Sequence, residues 1–451
     1  MGMYYKDKIM RFFRCPATVF IWWACWLLAS LPARAQTPGI PAPPPDTLRL
    51  NAAQLEQTFL ARNFQLLAQQ YQVNVAQAGV VQAALRPNPN VLFMTNLYNP
   101  NTGQVLPLRT PSPADLTNQV YNSGYVQLQV QQILLTAGKR SKLVALAESN
   151  RALAQLAFRD LLRTLRYQLY STYGNLYYDL KALALYQREL ARQQGLAAAY
   201  RTVLRLGAIP AFEVTRLDVL NRDLEANVAR YQSQVADEQA ALRVLLRQDD
   251  NRVLSPSAAP ESRAAAPPLA AALDSALAHR PDAALAQEQI AYAERSLALE
   301  RARRLPNVTV GVDYERYGNA YLNFVGAQLL VDLPLRNRNQ GAVQAAALTL
   351  RSAGAGLDNQ RTAVGSEVRN AHAKLLTYRA LLGTRPAAYS ASIRDIAVDA
   401  TRLYRARSID LLKYLDSIRT YQQAQLNDIA LANSLYQAQQ LLNYVTNTRF
   451  Y

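Results

Sequence analysis

The chain has 451 residues, a formal net charge of +17, two cysteines and two histidines. His279 and His372 lie almost a hundred positions apart, so no histidine cluster can hold a metal, and no glycine-rich phosphate loop or nucleophile elbow occurs in a strand–turn–helix context. A basic excess can mark nucleic-acid binding, but here Arg and Lys are scattered along helical patterns rather than clustered, which suits solvated helix faces.

The first residues read as a secretory signal peptide, 1–35. Lys6, Lys8, Arg11 and Arg14 precede an apolar run, Ala17 to Leu31, that ends at Pro32. The run is short for a membrane span, and Ala33-Arg34-Ala35 is a small-x-small cleavage site that leaves Gln36 first. Acylation at Cys25 is the alternative, but Trp22-Trp23-Ala24 lacks the small-residue context. Cys15 and Cys25 both fall in the removed segment, so no disulfide framework is expected. Five basic residues and one acidic residue go with it, and +13 of the +17 remains. Residues 36–49 are Pro-rich and read as extended or disordered.

From about Leu50 to Leu85 the apolar spacing predicts a helix, stopped by Pro87 and Pro89. A strand is predicted over 91–98, an exposed loop over 99–117, and a second strand over about 120–133. In that second strand Val126, Leu128 and Val130 alternate with Tyr125, Gln127, Gln129 and Gln131. Half of a soluble sandwich fits this pattern. So does a membrane barrel with aliphatics towards lipid and glutamines towards a wet lumen.

The pattern then changes period. Lys139 to Leu206 contains no proline, and leucine recurs at 162, 169, 176, 183 and 190, the seven-residue repeat of supercoiled helices. Such a helix would be about 100 Å long. Gly207-Ala208-Ile209-Pro210 breaks it, and a second helix to about Arg247 can fold back as an antiparallel hairpin.

A connector, 248–268, divides the chain, and 269–451 repeats the order of 50–247. A helix ends at Pro306. Strands over about 307–316 and 322–333 follow, with Val325, Ala327, Leu329 and Val331 on one face and a turn at Gly318-Asn319. A long helix is predicted from Gly341 to about Ala406, then a break at Arg407-Ser408-Ile409, then a last helix. The landmarks Pro87 and Pro306, Gly138 and Gly341, Gly207 and Arg407 are offset by 219, 203 and 200. The fold class is therefore mainly α with a small β part, built on a duplicated helix–strand–strand–long helix–helix unit. Four strands cannot close a barrel, and an open edge is not tolerated in lipid, so the membrane reading requires several chains to pool their strands.

Several motifs carry a resemblance. Leu85-Arg86-Pro87-Asn88-Pro89 precedes the first strand, and Ala137-Gly138-Lys139-Arg140 opens the long helix. Arg280-Pro281-Asp282 opens the second repeat, and Leu333-Pro334-Leu335-Arg336-Asn337-Arg338-Asn339-Gln340-Gly341 follows the last strand. In this order and spacing they resemble the TolC-type outer-membrane efflux proteins over the whole mature length. The Gly-Lys-Arg and Asn-Arg-Asn-Gln-Gly elements are similar to the heavy-metal branch related to cobalt–zinc–cadmium efflux.

The resemblance implies a homotrimer with a twelve-stranded barrel in outer-membrane lipid, a coiled-coil α-helical tunnel through the periplasm, and no enzyme activity or cofactor. Implied partners are a periplasmic adaptor and an inner-membrane pump of the resistance-nodulation-division type; nucleic acid is not one. The adaptor-docking tips would be Leu206, Gly207, Ala208 and Ile209, and Arg407, Ser408 and Ile409, with Arg407 where the family commonly has glycine. The pore constriction would fall at Lys413 and Asp416, where the family can place two acids; the lysine departs from that pattern. The lipid-facing residues would be Val126, Leu128, Val130, Val325, Ala327, Leu329 and Val331. A duct for secreted polypeptide shares this architecture, and a periplasmic coiled-coil scaffold is the remaining alternative.

Overall fold

The structure is a computed structural model that describes residues 47–100, 104–106, 124–250, 252–260, 265–317, 321–384, 386 and 388–451. The predicted signal peptide, most of the Pro-rich segment and the Gly318-Asn319 turn lie outside the described residues. The described chain runs β1 (Thr47–Leu50), α1 (Ala52–Arg62), α2 (Phe64–Ala84), β2 (Asn90–Thr95), β3 (Tyr98–Asn99), β4 (Gln104–Val105) and β5 (Tyr125–Leu134). Helices α3 (Lys139–Arg205) and α4 (Ala211–Leu246), strand β6 (Val253–Pro256), and helices α5 (Leu269–His279) and α6 (Pro281–Arg303) follow. The chain ends with β7 (Val308–Tyr317), β8 (Tyr321–Val331), α7 (Gln340–Gly383), α8 (Tyr389–Arg405) and α9 (Leu411–Thr446).

Three helices expected to be continuous are divided, each for a local reason. The 50–85 helix breaks at Asn63, which is extended, caps α2 by accepting from the Leu66 amide, and donates its side-chain amide to the Leu245 carbonyl. The helix from Leu269 breaks at Arg280, whose successor Pro281 takes the first helical position, where its missing N–H costs nothing. The long helix from Gly341 to Ala406 breaks between Gly383 and Tyr389, around Pro386. Two connections also hold unexpected strands. Residues 47–50 of the N-terminal segment pair in parallel with 253–256 of the connector, and the loop after β2 contains the β3–β4 pair.

Strands β2, β5, β7 and β8 form one antiparallel sheet in that order, with β2 and β8 at its edges. The helices nearest the sheet follow the same order: α2 packs on α3, α3 on α6, and α6 on α7. Farther along, α4 packs on α3, α3 on α9, and α9 on α8.

Helix α3 is the element shared by both groups, and its leucines show why the seven-residue repeat is only a partial guide. Leu169 and Leu176 are fully buried, while Leu162, Leu183 and Leu190 are half-buried. Beyond residue 180 the buried positions are Ala182, Leu185, Glu189, Gln193 and Ala197. A straight helix of 3.6 residues per turn drifts about 20° per heptad against a 3.5-residue column, so the leucine column rotates out of the core.

One packing contact fixes α9 against α3. The Tyr436 ring lies over Gly174 so closely that a Cβ at that position would overlap it, and the Tyr436 hydroxyl donates to the Tyr170 carbonyl. Gly174→Ala should cost about 1–3 kcal/mol by overpacking, and a Tyr436→Leu partner change should recover part of that in equilibrium denaturation. Equal destabilisation in both backgrounds would show that the ring does not set the spacing.

Candidate functional site

The register of the sheet sorts its side chains onto two faces, since directly paired residues share a face. One face carries Val91 and Phe93 from β2, Val126, Leu128 and Val130 from β5, Val310 and Val312 from β7, and Val325, Ala327, Leu329 and Val331 from β8. Among the described residues this face is largely uncovered: Val325 is 75% exposed and Leu329 70% exposed. All seven lipid-face candidates lie on it. Phe93, Val310 and Val312 belong with them and are equally apolar.

The opposite face is polar. Gln127 donates to Glu315 at 2.8 Å, and Gln131 and Gln129 both donate to Gln328. Two glycines on β7 and β8 make this crowding possible. At Gly326 a Cβ would press on the Asp313 carboxylate at 2.7 Å, and at Gly311 on Gln131. The sheet therefore presents a mainly apolar surface, broken by Thr95, Gln132 and Arg316, and behind it amides and carboxylates together with Leu92, Met94, Ile133, Phe324 and Leu330.

The residues that join sheet to helices are those the motifs singled out. Gly138 and Asn339 are both left-handed and start α3 and α7. Lys139 is buried and its Nζ donates to the Leu305 carbonyl and to Asn307 Oδ1, both at 2.6 Å, while Thr136 donates to the Pro306 carbonyl. Asn339 donates to the Glu300 carbonyl at 2.9 Å and to its carboxylate at 2.7 Å. Both loops are thus clamped to the end of α6.

Deeper in the helical part a charged network was invisible to sequence reasoning, although Arg280-Pro281-Asp282 was its marker. The Arg280 side chain is 2% exposed and that of Arg163 5%. Arg280 pairs with Asp282 at 2.5 Å and Glu367 at 2.7 Å and donates to the Val445 carbonyl; Arg163 pairs with Asp160 at 2.7 Å and Asp282 at 3.2 Å. Gln360 adds a further hydrogen bond to Asp282. Burial alone would raise the Asp282 carboxyl, but the hydrogen bonds from Arg280 and the charges of Arg163 and Arg280 outweigh it and hold the group below the usual carboxylate range. A cavity of about 340 Å³ beside this network is lined by Glu56, Arg166, Tyr170 and Arg449. Its charges answer one another: Glu56 pairs with Arg166 at 3.1 Å and Arg449 at 3.7 Å and accepts from the Tyr170 hydroxyl.

The seam between α3 and α9 is likewise polar. Gln437 bridges Ser171 and Asn175, Asn433 donates to Asn175, and Asn175 donates to Glu238. Lower down, Gln422 donates to the buried Glu189, which also pairs with Arg192. Burial raises the Asp179 and Glu238 carboxyls on α3 and α4, and for Glu238 the neighbouring Asp179 and Asp237 charges add to it against the Asn175 hydrogen bond.

At the far end the two helix–helix turns have one geometry. Gly207 donates to the Leu204 carbonyl and Ala208 to Val203; Arg407 donates to Tyr404 and Ser408 to Leu403. Both are six-residue Schellman closures, with φ of +69° at Gly207 and +59° at Arg407. Leu206, Gly207, Ala208, Arg407 and Ser408 are exposed, and Ile209 and Ile409 are half-buried. The turns lie at the same end, because Ala197 and Leu217 share a buried cluster with Ala400, Leu411 and Ile418. Lys413 and Asp416 are exposed on α9, one helical turn apart, and line a cleft with Asp395 and Asp399 of α8. Neither is in an ion pair among the described residues. Among the described residues there is no group of His, Cys, Asp and Glu that could hold a metal, and no helix long and apolar enough to cross a membrane.

Residues 55–246 match the family described as Outer membrane efflux protein. The chain is 23% identical over 390 residues to the cobalt-zinc-cadmium resistance protein CzcC of Cupriavidus metallidurans, covering 83% of this chain and 85% of that one. Among solved structures it superposes on a membrane protein from Pseudomonas aeruginosa with a TM-score of 0.72 at 20% identity, covering 92% and 97% of the two chains. The CmeC outer membrane channel of Campylobacter jejuni gives a TM-score of 0.70 at 13% identity, covering 88% and 86%. Over residues 55–246 the chain thus matches the outer membrane efflux protein family, and over most of its length it has the fold of these solved structures.

Proposed function

We propose that the protein is the outer-membrane channel of a tripartite efflux system, a passive conduit through which an energised pump discharges small solutes. The observation that carries this reading is the sheet: mainly apolar on one face, rich in amides and carboxylates on the other, and unpaired at both edges among the described residues. Open edges are not stable in lipid, so β8 of one copy pairs with β2 of the next until the ring closes. Three copies of four strands suffice, and a trimer is the state this reading adopts.

The helices agree with that closure. In the order α2–α3–α6–α7 the flanks are α2 and α7, which run to and from the two edge strands. Helix α2 contains no Asp, Glu, Lys or Arg in its 21 residues, and Tyr71, Val75 and Val81 stand 58–63% exposed along it. A face without charge is suited to burial against a neighbouring copy rather than to solvent. The two halves of the chain, 50–247 and 269–451, then act as repeats that each deliver one strand hairpin and one helical hairpin to the wall.

The similarity to a cobalt–zinc–cadmium resistance protein supports divalent metal ions as the transported class. In a symmetric assembly, copies of Asp416 ring the narrow end and concentrate negative potential, with Lys413 beside each as a counter-charge. Asp416→Ala should then raise single-channel conductance or weaken block by divalent cations in planar bilayers. Unchanged values on both counts would remove Asp416 from the constriction.

The function itself is tested by deleting the gene and challenging the strain with zinc, cobalt and cadmium salts alongside dyes, detergents and antibiotics. Sensitivity to the metal salts is the expected result. Sensitivity to dyes and drugs alone would move the substrate class, and missing extracellular proteins without either would replace efflux by polypeptide secretion.

A further inference from the structure

We propose that the cavity between α1, α3 and the end of α9 is a binding site for a small aromatic carboxylate, whatever the chain conducts. At about 340 Å³ it has the size of small-molecule sites, and its walls combine aromatic rings with a few polar groups. The strongest sign is Gln440. It lines the cavity at 9% exposure, and its amide makes no hydrogen bond among the described residues. Buried amides are normally partnered. The comparably buried Gln239 both donates to the Leu254 carbonyl and accepts from the Leu254 amide.

The charges of the cavity point to an anion. Arg163 is answered by Asp160 and Asp282. Arg166 and Arg449, by contrast, share the single carboxylate of Glu56, which also accepts from the Tyr170 hydroxyl. Arg166 meets it through Nε at 3.1 Å, and Arg449 stands 3.7 Å away, beyond hydrogen-bond distance, so most donors of the two forks are unused within the chain. Both arginines are exposed, which puts a positive remainder at the mouth. The planar fork of arginine matches a carboxylate in two parallel hydrogen bonds.

Rings supply the rest of the specificity. Tyr167 and Tyr444 stack at 4.9 Å, and the Arg449 guanidinium lies over the Tyr170 ring at 5.9 Å. Such rings receive a further ring in offset or edge-on packing. The frame is fixed, because the Phe450 amide donates to Asn443, Asn443 donates to the Tyr451 carbonyl, and the Tyr451 hydroxyl donates to the Ala265 carbonyl. A flat ring with a carboxylate at one end and a hydroxyl at the other satisfies the arginines at the mouth and the Gln440 amide inside.

The probe is 4-hydroxybenzoate, titrated into the full chain purified in mild detergent and followed by saturation-transfer NMR. Saturable binding is the expected result, about tenfold weaker for 4-hydroxybenzyl alcohol, which lacks the carboxylate, and about tenfold weaker in Arg449→Gln. Gln440→Leu should abolish the preference for 4-hydroxybenzoate over benzoate and leave benzoate binding in place, whereas a merely structural glutamine would weaken both alike. Arg449→Gln, at an exposed position, keeps the test decisive if Gln440→Leu does not assemble. No binding at millimolar probe would overturn the site and leave the Gln440 amide to water. Unchanged affinity in both variants would place the probe elsewhere and overturn it too. Equal displacement by inorganic phosphate would reduce the cavity to an unselective anion site and overturn the aromatic class.

Discussion

Replacing Asp282 by alanine should cost the folded protein about 3 kcal/mol, because it leaves two nearly buried guanidiniums short of a shared carboxylate. Asp160 and Glu367 remain to Arg163 and Arg280, which keeps the expected loss at the lower end of what breaking a buried pair costs. Four helices meet at these side chains: Arg163 and Asp160 come from α3, Asp282 from α6, Glu367 and Gln360 from α7, and the Val445 carbonyl from α9. Arg280 caps the junction between α5 and α6. The loss should appear in equilibrium denaturation of the refolded protein, and a change under about 1 kcal/mol would show that the network is not a structural node. The pH dependence has a definite sign. A carboxyl held below its unfolded value contributes fully above about pH 5 and loses that contribution as the pH falls through its folded value. Asp282→Asn should therefore flatten the acid side of the stability profile.

Leu128→Arg should have an effect of similar size at the other end of the chain. Leu128 sits between Phe93 and Tyr314 on the apolar face of the sheet. If that face meets hydrocarbon, an arginine there costs about 2–4 kcal/mol near the bilayer midplane. The neighbouring Gln129→Arg points to the amide side and should be accepted within about 1 kcal/mol. The measurement is refolding into lipid vesicles, scored by the yield of heat-resistant oligomer. Equal tolerance of both arginines would mean that the apolar face is not against lipid.

These two sites differ in how far the sequence disclosed them. The strand face was legible because alternation along a strand is local: Val126, Leu128 and Val130 declare a face without knowledge of any partner. The turns were legible for the same reason, since Gly207 and Pro210 act on their own backbone. Residue 407 was harder, because arginine gives no local sign that it will take the conformation of a glycine. Pro386 was available as a helix breaker, but it lies in an Ala-rich stretch whose apolar spacing continues on both sides. The pairing of 47–50 with 253–256 had no local signal, since four-residue segments carry too little pattern to outweigh a Pro-rich neighbourhood. The network around Asp282 depends on contacts across more than a hundred residues, so only its Arg-Pro-Asp marker could be read, and not its partners.

The pairing of β1 with β6 also sets an order of events during synthesis. Strand β1 is made first but must wait for some two hundred residues before its parallel partner exists. In the same way the β2–β5 hairpin can form locally, whereas the ladder from β5 to β7 requires the α3–α4 hairpin to have folded back first. Contacts of such separation form late, and what waits is a strand edge or an apolar surface, the kind that sticks to other chains. Until its second half is made, the chain therefore carries strand edges and an apolar face without their partners, a state prone to association with other chains.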